Sequence, residues 1–141
     1  MMTEARQFRC SVRVYFEDTD AGGIVYNANY LRYAERGRAE MLRDLGFESL
    51  RLIETDGVAL AVCRCYTDYL YPAHLDDALD VATRVTRVGG ASVNVLQKVT
   101  RGDDALVTLD IKLGSIKSDG SPARLPIDLR AALKNACENL A

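Results

Sequence analysis

A single histidine, His74, stands among the 141 residues, and no two of the four cysteines are spaced as C-x-x-C. That leaves too few nitrogen and sulfur ligands at the right spacing for a zinc site. The longest apolar runs fall far below the roughly 20 residues a helix needs to cross a bilayer. Neither sign of charge dominates. The formal net charge is −2, so a general nucleic-acid partner is not expected, and any anionic ligand has to be held by a local basic patch. The opening stretch MMTEARQFRC is charged and has no apolar h-region, so we expect no secretion signal, a cytoplasmic location, and buried free thiols at Cys10, Cys63, Cys65 and Cys137. Cys63 and Cys65 are expected on one face of a strand. No repeat, linker or low-complexity tract interrupts the chain, and its length suits one domain over residues 1–141.

What is present is clear periodicity. Phe8, Cys10, Val12, Val14 and Phe16 alternate with Arg9, Ser11, Arg13 and Tyr15, which predicts a half-buried strand. Tyr30, Tyr33, Ala34, Met41, Leu42 and Leu45 then recur at steps of three and four. This predicts an amphipathic helix from about residue 28 to 45, closed by Gly46. A short helix near Ser49–Thr55 should end at Gly57. Four strand patterns follow: VALAVCRCYTDYLY, ALDVATRVTRV, ASVNVLQKVT and ALVTLDIKLGSIK. Gly89-Gly90 and Gly102-Asp103-Asp104 mark hairpin turns. A last helix begins near Asp128, with Leu129, Leu133, Ala136 and Leu140 along one side. The expected fold is α+β: an antiparallel meander wrapped round one long helix, which alone covers the apolar face. The other face carries Arg84, Thr86, Asn94, Lys98, Asp110 and Lys112. Such a single layer is expected to dimerise.

The stretch EDTDAGGIVYNANY (17–30) concentrates acid on one turn just before the helix. As a calcium loop it fails at Gly22, where Asp or Asn is needed, and at Asn29, where a bidentate Glu is needed. As a magnesium site for a phosphate substrate it lacks a phosphate cradle and a nearby lysine. Asp18 and Thr19 read most simply as turn formers. Asp20 fits a further role. A carboxylate beside a helix start lies near unpaired backbone N–H groups and the positive end of the helix dipole. Such N–H groups stabilise an oxyanion on a carbonyl, while the carboxylate acts as nucleophile or base. Gly22 and Gly23 would let backbone and substrate approach closely. This is a pattern for acyl transfer or hydrolysis without serine, cysteine or metal.

The segment VYFEDTDAGGIVYNANYLRYAERGR (14–38) resembles the signature of the hotdog-fold acyl-CoA thioesterases, of the 4-hydroxybenzoyl-CoA and Tol–Pal-associated type. The resemblance rests on Phe16, Asp18, Asp20, Gly23, Ile24-Val25 and Tyr30 in order, and on YLYPAHLDD (69–77), similar to an aromatic-x-x-Pro-Ala segment. It extends over roughly residues 8–130. It implies a long helix wrapped by an antiparallel sheet, and dimers or tetramers with sites between subunits, Val58–Tyr66 of a second subunit adding walls. It implies that Asp20 is the catalytic carboxylate and that the backbone N–H of Asn27 polarises the thioester carbonyl. Gly23 and Val25 would line the approach, with Tyr30 at the edge of the site. For the CoA phosphates, Arg124 is the candidate by position, and Arg84, Arg87 and Lys117 are candidates by charge alone. No cofactor or metal is implied.

Two positions depart from the family pattern. Asn27 stands where Tol–Pal-associated relatives carry histidine, and VGGAS (88–92) stands where the benzoyl-type enzymes carry a basic cluster. The expected function is hydrolysis of an acyl-CoA to free acid and CoA. The alternative is a non-catalytic acyl-thioester-binding or scaffold protein that meets lipid-synthesis enzymes. A third option, a hydratase or dehydratase, is an option of the fold alone.

Overall fold

A computed structural model describes residues 6–137. Its elements are β1 (Phe8–Arg13), α1 (Asn27–Asp44), α2 (Ser49–Arg51), β2 (Ala59–Tyr69), β3 (Ala78–Val88), β4 (Ser92–Arg101), β5 (Asp104–Ile116) and α3 (Ile127–Cys137). A 3₁₀ turn, Phe16–Asp18, follows β1, and a π turn, Leu52–Asp56, extends α2 to Gly57 at φ +69°.

The strands form one antiparallel sheet in the order β1-β3-β4-β5-β2. The expected meander is therefore real only for β3-β4-β5. The eight residues between β2 and β3 are long enough to carry the chain across, so β2 pairs with β5 at the far edge and β1 takes the place beside β3. Residues opposite each other in the ladder share a face. Val12, Leu79, Val81, Val99, Val107, Leu109 and Ile111 all turn inward and are buried. On burial each such side chain contributes about 1.5–3 kcal/mol.

Against this face lies α1, burying Tyr30, Tyr33, Ala34, Met41 and Leu42 as its periodicity demands. It comes close because residue 37 is glycine: a Cβ there would meet Val81 Cγ1 at 2.7 Å. Beneath it, the buried Gln97 amide donates to the Ala34 carbonyl and to Thr83 Oγ1, each at 2.8 Å, and accepts from Arg38 at 3.0 Å. The long helix does not cover the face alone. Leu129, Leu133 and Ala136 of α3 are buried in the same apolar cluster, and α3 packs on β3. Leu140, expected on that stripe, lies outside the described residues.

Three further expectations are corrected. The alternation of β1 runs on to Phe16 in sequence, but the strand ends at Arg13 and Phe16 is 80% exposed. The chain turns because the Tyr15 N–H donates to the Asp18 carboxylate at 2.9 Å. The cysteines are not buried: Cys63 is exposed and the other three are partly so. Nor do Cys63 and Cys65 share a face. A bulge between Val62 and Arg64 leaves Cys63 without a ladder partner, and its sulfur occupies the space over Gly114, 2.7 Å from where a Cβ would stand. Cys65 pairs with Ile111 on the inner face. Among the described residues no helix is long and apolar enough to cross a membrane.

Candidate active site

The chain between β1 and α1 folds back on itself. The Asp20 N–H donates to the Ile24 carbonyl and the Gly23 N–H to the Asp20 carbonyl, closing a turn that puts Gly23 at φ +82°. Thr19 caps this loop by donating its hydroxyl to the Phe16 carbonyl at 2.7 Å. The carboxylates of Asp18 and Asp20 serve different donors. Asp18 holds Tyr15, as above, and Asp20 accepts from the Gly22 N–H at 2.8 Å. Asp18 and Thr19 thus have the turn-forming part their sequence suggests.

The turn is then fastened to the helix start. The buried Asn29 side chain donates to the Asp18 carbonyl at 2.8 Å, and the Tyr26 N–H donates to the same oxygen at 2.9 Å. In the sequence Asn29 has meaning only as the residue that spoils a calcium loop, and nothing there signals this bond. Tyr26 caps α1 with extended backbone and no side-chain bond, and the first turn of α1 carries no acidic residue. The N–H groups of Asn27 and Ala28 find no acceptor among the described residues. Orphan donors of this kind, at the positive end of an 18-residue helix, suit a developing negative charge.

Beside them opens a cleft of about 420 Å³, lined by Asp20, Ile24, Val25, Asn27, Tyr30, Tyr69, Leu70, Tyr71 and Pro72. Four sequence-predicted residues, Asp20, Val25, Asn27 and Tyr30, therefore meet in one place. Asp20 and Asn27 are exposed to solvent in the single chain, while Val25 and Tyr30 are buried at the base. Gly23 shapes the turn but is not in the cleft wall. Arg124 is elsewhere: its guanidinium rests over Gly90, in the β3–β4 turn. The 11-residue β3 separates that turn from the cleft end of the sheet, a span of roughly 33 Å.

The wall formed by Tyr69, Leu70, Tyr71 and Pro72 comes from the same chain. Its sequence signal was the aromatic-x-x-Pro-Ala segment. Val25 donates to the Ala73 carbonyl at 2.9 Å, the Ala73 N–H donates to the Tyr30 hydroxyl at 3.0 Å, and Ile24 bridges His74. Tyr30 stands edge-on to both Tyr33 and Tyr69, with ring centroids 6.1 and 5.8 Å apart. Burial pushes the Tyr30 phenol above its ordinary range, outweighing the bond from Ala73. The Tyr33 phenol is raised further, first by burial and then by the Asp18 carboxylate near it, although among the described residues its hydroxyl has no partner in hydrogen-bonding geometry.

A helix wrapped by a five-stranded antiparallel sheet, with an acidic turn leading into the helix start, is the hotdog architecture. The chain belongs to the thioesterase-like superfamily, whose model matches residues 14–133. It is 40% identical over 126 residues to the acyl-CoA thioesterase YbgC of Haemophilus influenzae, covering 89% of this chain and 93% of that one. It is 42% identical over 100 residues to the acyl-CoA thioester hydrolase YbgC of Escherichia coli O6:H1, covering 71% of this chain and 74% of that one. Among solved structures, a probable thioesterase from Bartonella henselae superposes with a TM-score of 0.84 at 36% identity, covering 86% of this chain and all of the other.

Proposed function

We propose that this protein hydrolyses an acyl-CoA to a carboxylic acid and free CoA, with Asp20 as the working carboxylate. The observation that carries the reading is the single cleft that holds Asp20 and Asn27 together at an uncapped helix start. The thioester carbonyl oxygen sits against the Asn27 N–H. As that oxygen gains charge, the helix-end donor strengthens its hold, which lowers the barrier more than it lowers the ground state. Asp20 then acts in one of two ways. It attacks the carbonyl carbon, the C–S bond breaks with departure of CoA thiolate, and water cleaves the resulting mixed anhydride. Or it takes a proton from water as that water attacks.

Neither route asks anything of the Asn27 side chain, so the replacement of the relatives' histidine is compatible with turnover. A cytoplasmic location goes with a CoA substrate. The reading includes a homodimer or homotetramer with sites completed between subunits. Two features favour this: β2 is an 11-residue edge strand with exposed Val62 and Tyr66, and Asp20 is open to solvent in one chain. Long unpaired edges are covered in stable proteins. A second subunit is also the route by which Arg124 would reach a CoA phosphate.

The test is thiol release across a panel of short, long and aromatic acyl-CoAs. Wild type should release CoA, and Asp20→Asn should lose about 10²–10⁴-fold in kcat while remaining folded. Near-normal turnover by Asp20→Asn would overturn the assignment. Binding of acyl-CoA by wild type with no thiol release would favour the non-catalytic, acyl-binding reading, including contacts with lipid-synthesis proteins.

A further inference from the structure

Tyr69 is the last residue of β2, half exposed, and its ring forms part of the cleft wall. Its hydroxyl donates to the backbone oxygen of Asn27 at 3.2 Å. Tyr30, its edge-on neighbour, has its own hydroxyl occupied by the Ala73 N–H. The two tyrosines therefore fasten the 69–73 segment to the first turn of α1 at two points.

The Tyr69 bond has a chemical consequence. A peptide group shares its charge between carbonyl oxygen and amide N–H. The carbonyl of Asn27 belongs to the same peptide group as the N–H of Ala28, one of the two donors at the helix start with no acceptor among the described residues. A hydroxyl donated to that oxygen draws electron density toward it and makes the Ala28 N–H a stronger donor, because linked hydrogen bonds polarise one another.

We infer that Tyr69 is a positioning residue for thioester cleavage, holding the Asn27–Ala28 peptide so that the Ala28 N–H serves as a second donor to the thioester oxygen beside that of Asn27. The inference rests on the oxyanion site described above. Burial keeps the Tyr69 phenol above its ordinary range, so the hydroxyl stays a donor through neutral and mildly alkaline pH. A separation of 3.2 Å is long for an O–H···O bond, so the effect is modest. It is the size of one neutral hydrogen bond, about 3–10-fold in rate.

Tyr69→Phe removes the hydroxyl and keeps the ring. In the full-length protein it should lower kcat for acyl-CoA hydrolysis by about 3–10-fold, leave KM unchanged and lower the unfolding temperature by no more than a few degrees. Tyr69→Leu, which also removes the ring, should raise KM in addition. A second readout needs no turnover: in the free protein, Tyr69→Phe should move the Ala28 amide nitrogen resonance upfield, and by more than that of Asn29. A Tyr69→Phe enzyme with wild-type kcat, a loss confined to KM, or an unmoved Ala28 resonance would each overturn the inference. Failure of the Asp20 reading is seen separately, as turnover retained by Asp20→Asn.

Discussion

One carboxylate oxygen of Asp20 holds the N–H of Gly22 at 2.8 Å, and a Cβ on Gly22 would stand 3.2 Å from that same oxygen. The residue that orients the carboxylate is therefore also the residue that leaves it room. Gly22→Ala keeps the N–H and adds the crowding, so the carboxylate has to give by a few tenths of an ångström. Misplacement of a reacting group by about 1 Å can cost on the order of 10²-fold. We expect Gly22→Ala to lower kcat by about 3–10-fold, with little change in the unfolding midpoint, since Gly22 is exposed. Steady-state kinetics beside a thermal melt checks this.

Gly37 makes a different prediction, on stability. A methyl group there meets Val81 Cγ1 at 2.7 Å, Gln97 Nε2 at 3.0 Å and Thr83 Oγ1 at 3.2 Å. Val81 and Thr83 are short, buried side chains of β3, and Gln97 is committed to Ala34, Thr83 and Arg38. Alanine favours helix by about 1 kcal/mol over glycine, but overpacking costs about 1–3 kcal/mol. Gly37→Ala should therefore destabilise, by up to about 2 kcal/mol in a urea titration, the difference of those two terms.

Much of this arrangement is legible in the sequence, because it depends on local period. The 3.6-residue repeat of Tyr30, Tyr33, Ala34 and Met41 placed α1 within one residue of its observed start, and alternation placed β3 at its observed bounds. What depends on distant partners was not legible. The crossing of β2 to the far edge follows from which edge it can cover, not from any turn residue. The bulge at Cys63 exists because Gly114, some fifty residues on, leaves space for a sulfur. The end of β1 before Phe16 is decided by the Asp18 carboxylate taking the Tyr15 N–H. At the site, Asp20, Val25 and Tyr30 belong to the motif, Asn27 is legible only by its place at the helix start, and the four line one cleft. Asn29 acts through a bond to a backbone carbonyl, which leaves no mark on composition or spacing; Tyr69 is visible as the aromatic of the aromatic-x-x-Pro-Ala segment, but its bond to the Asn27 carbonyl is not.

A pH prediction follows from Asp77, which anchors the turn behind the cleft wall. Burial opposes its charge, but the His74 N–H at 2.8 Å and the Arg101 guanidinium at 2.7 Å outweigh burial and hold the carboxyl below its ordinary range. A group with a lowered folded pKa contributes stability above its unfolded pKa, about 3.9 for aspartate, and that contribution is lost as pH falls through the folded value. Wild type should lose stability on acidification through and below that point, and Asp77→Asn should show a flatter acid limb. The pair is partly exposed, so the difference at neutral pH is at most about 1 kcal/mol. Denaturant midpoints from pH 7 down to pH 3 would display the change in slope.

In the proposed reaction a backbone N–H at the mouth of α1, not the side chain of Asn27, grips the thioester oxygen. Proline deletes that one N–H. Tyr26 already has the extended backbone that a residue before proline prefers, at φ −63° and ψ 134°, and the first helical position accepts proline readily. The most direct measurement is therefore kcat for Asn27→Pro beside Asn27→Ala. Turnover should fall about 10²–10³-fold in the proline variant, with the fold retained, and stay near wild type in the alanine variant. Wild-type turnover by Asn27→Pro, or an equal loss in both variants, would contradict it.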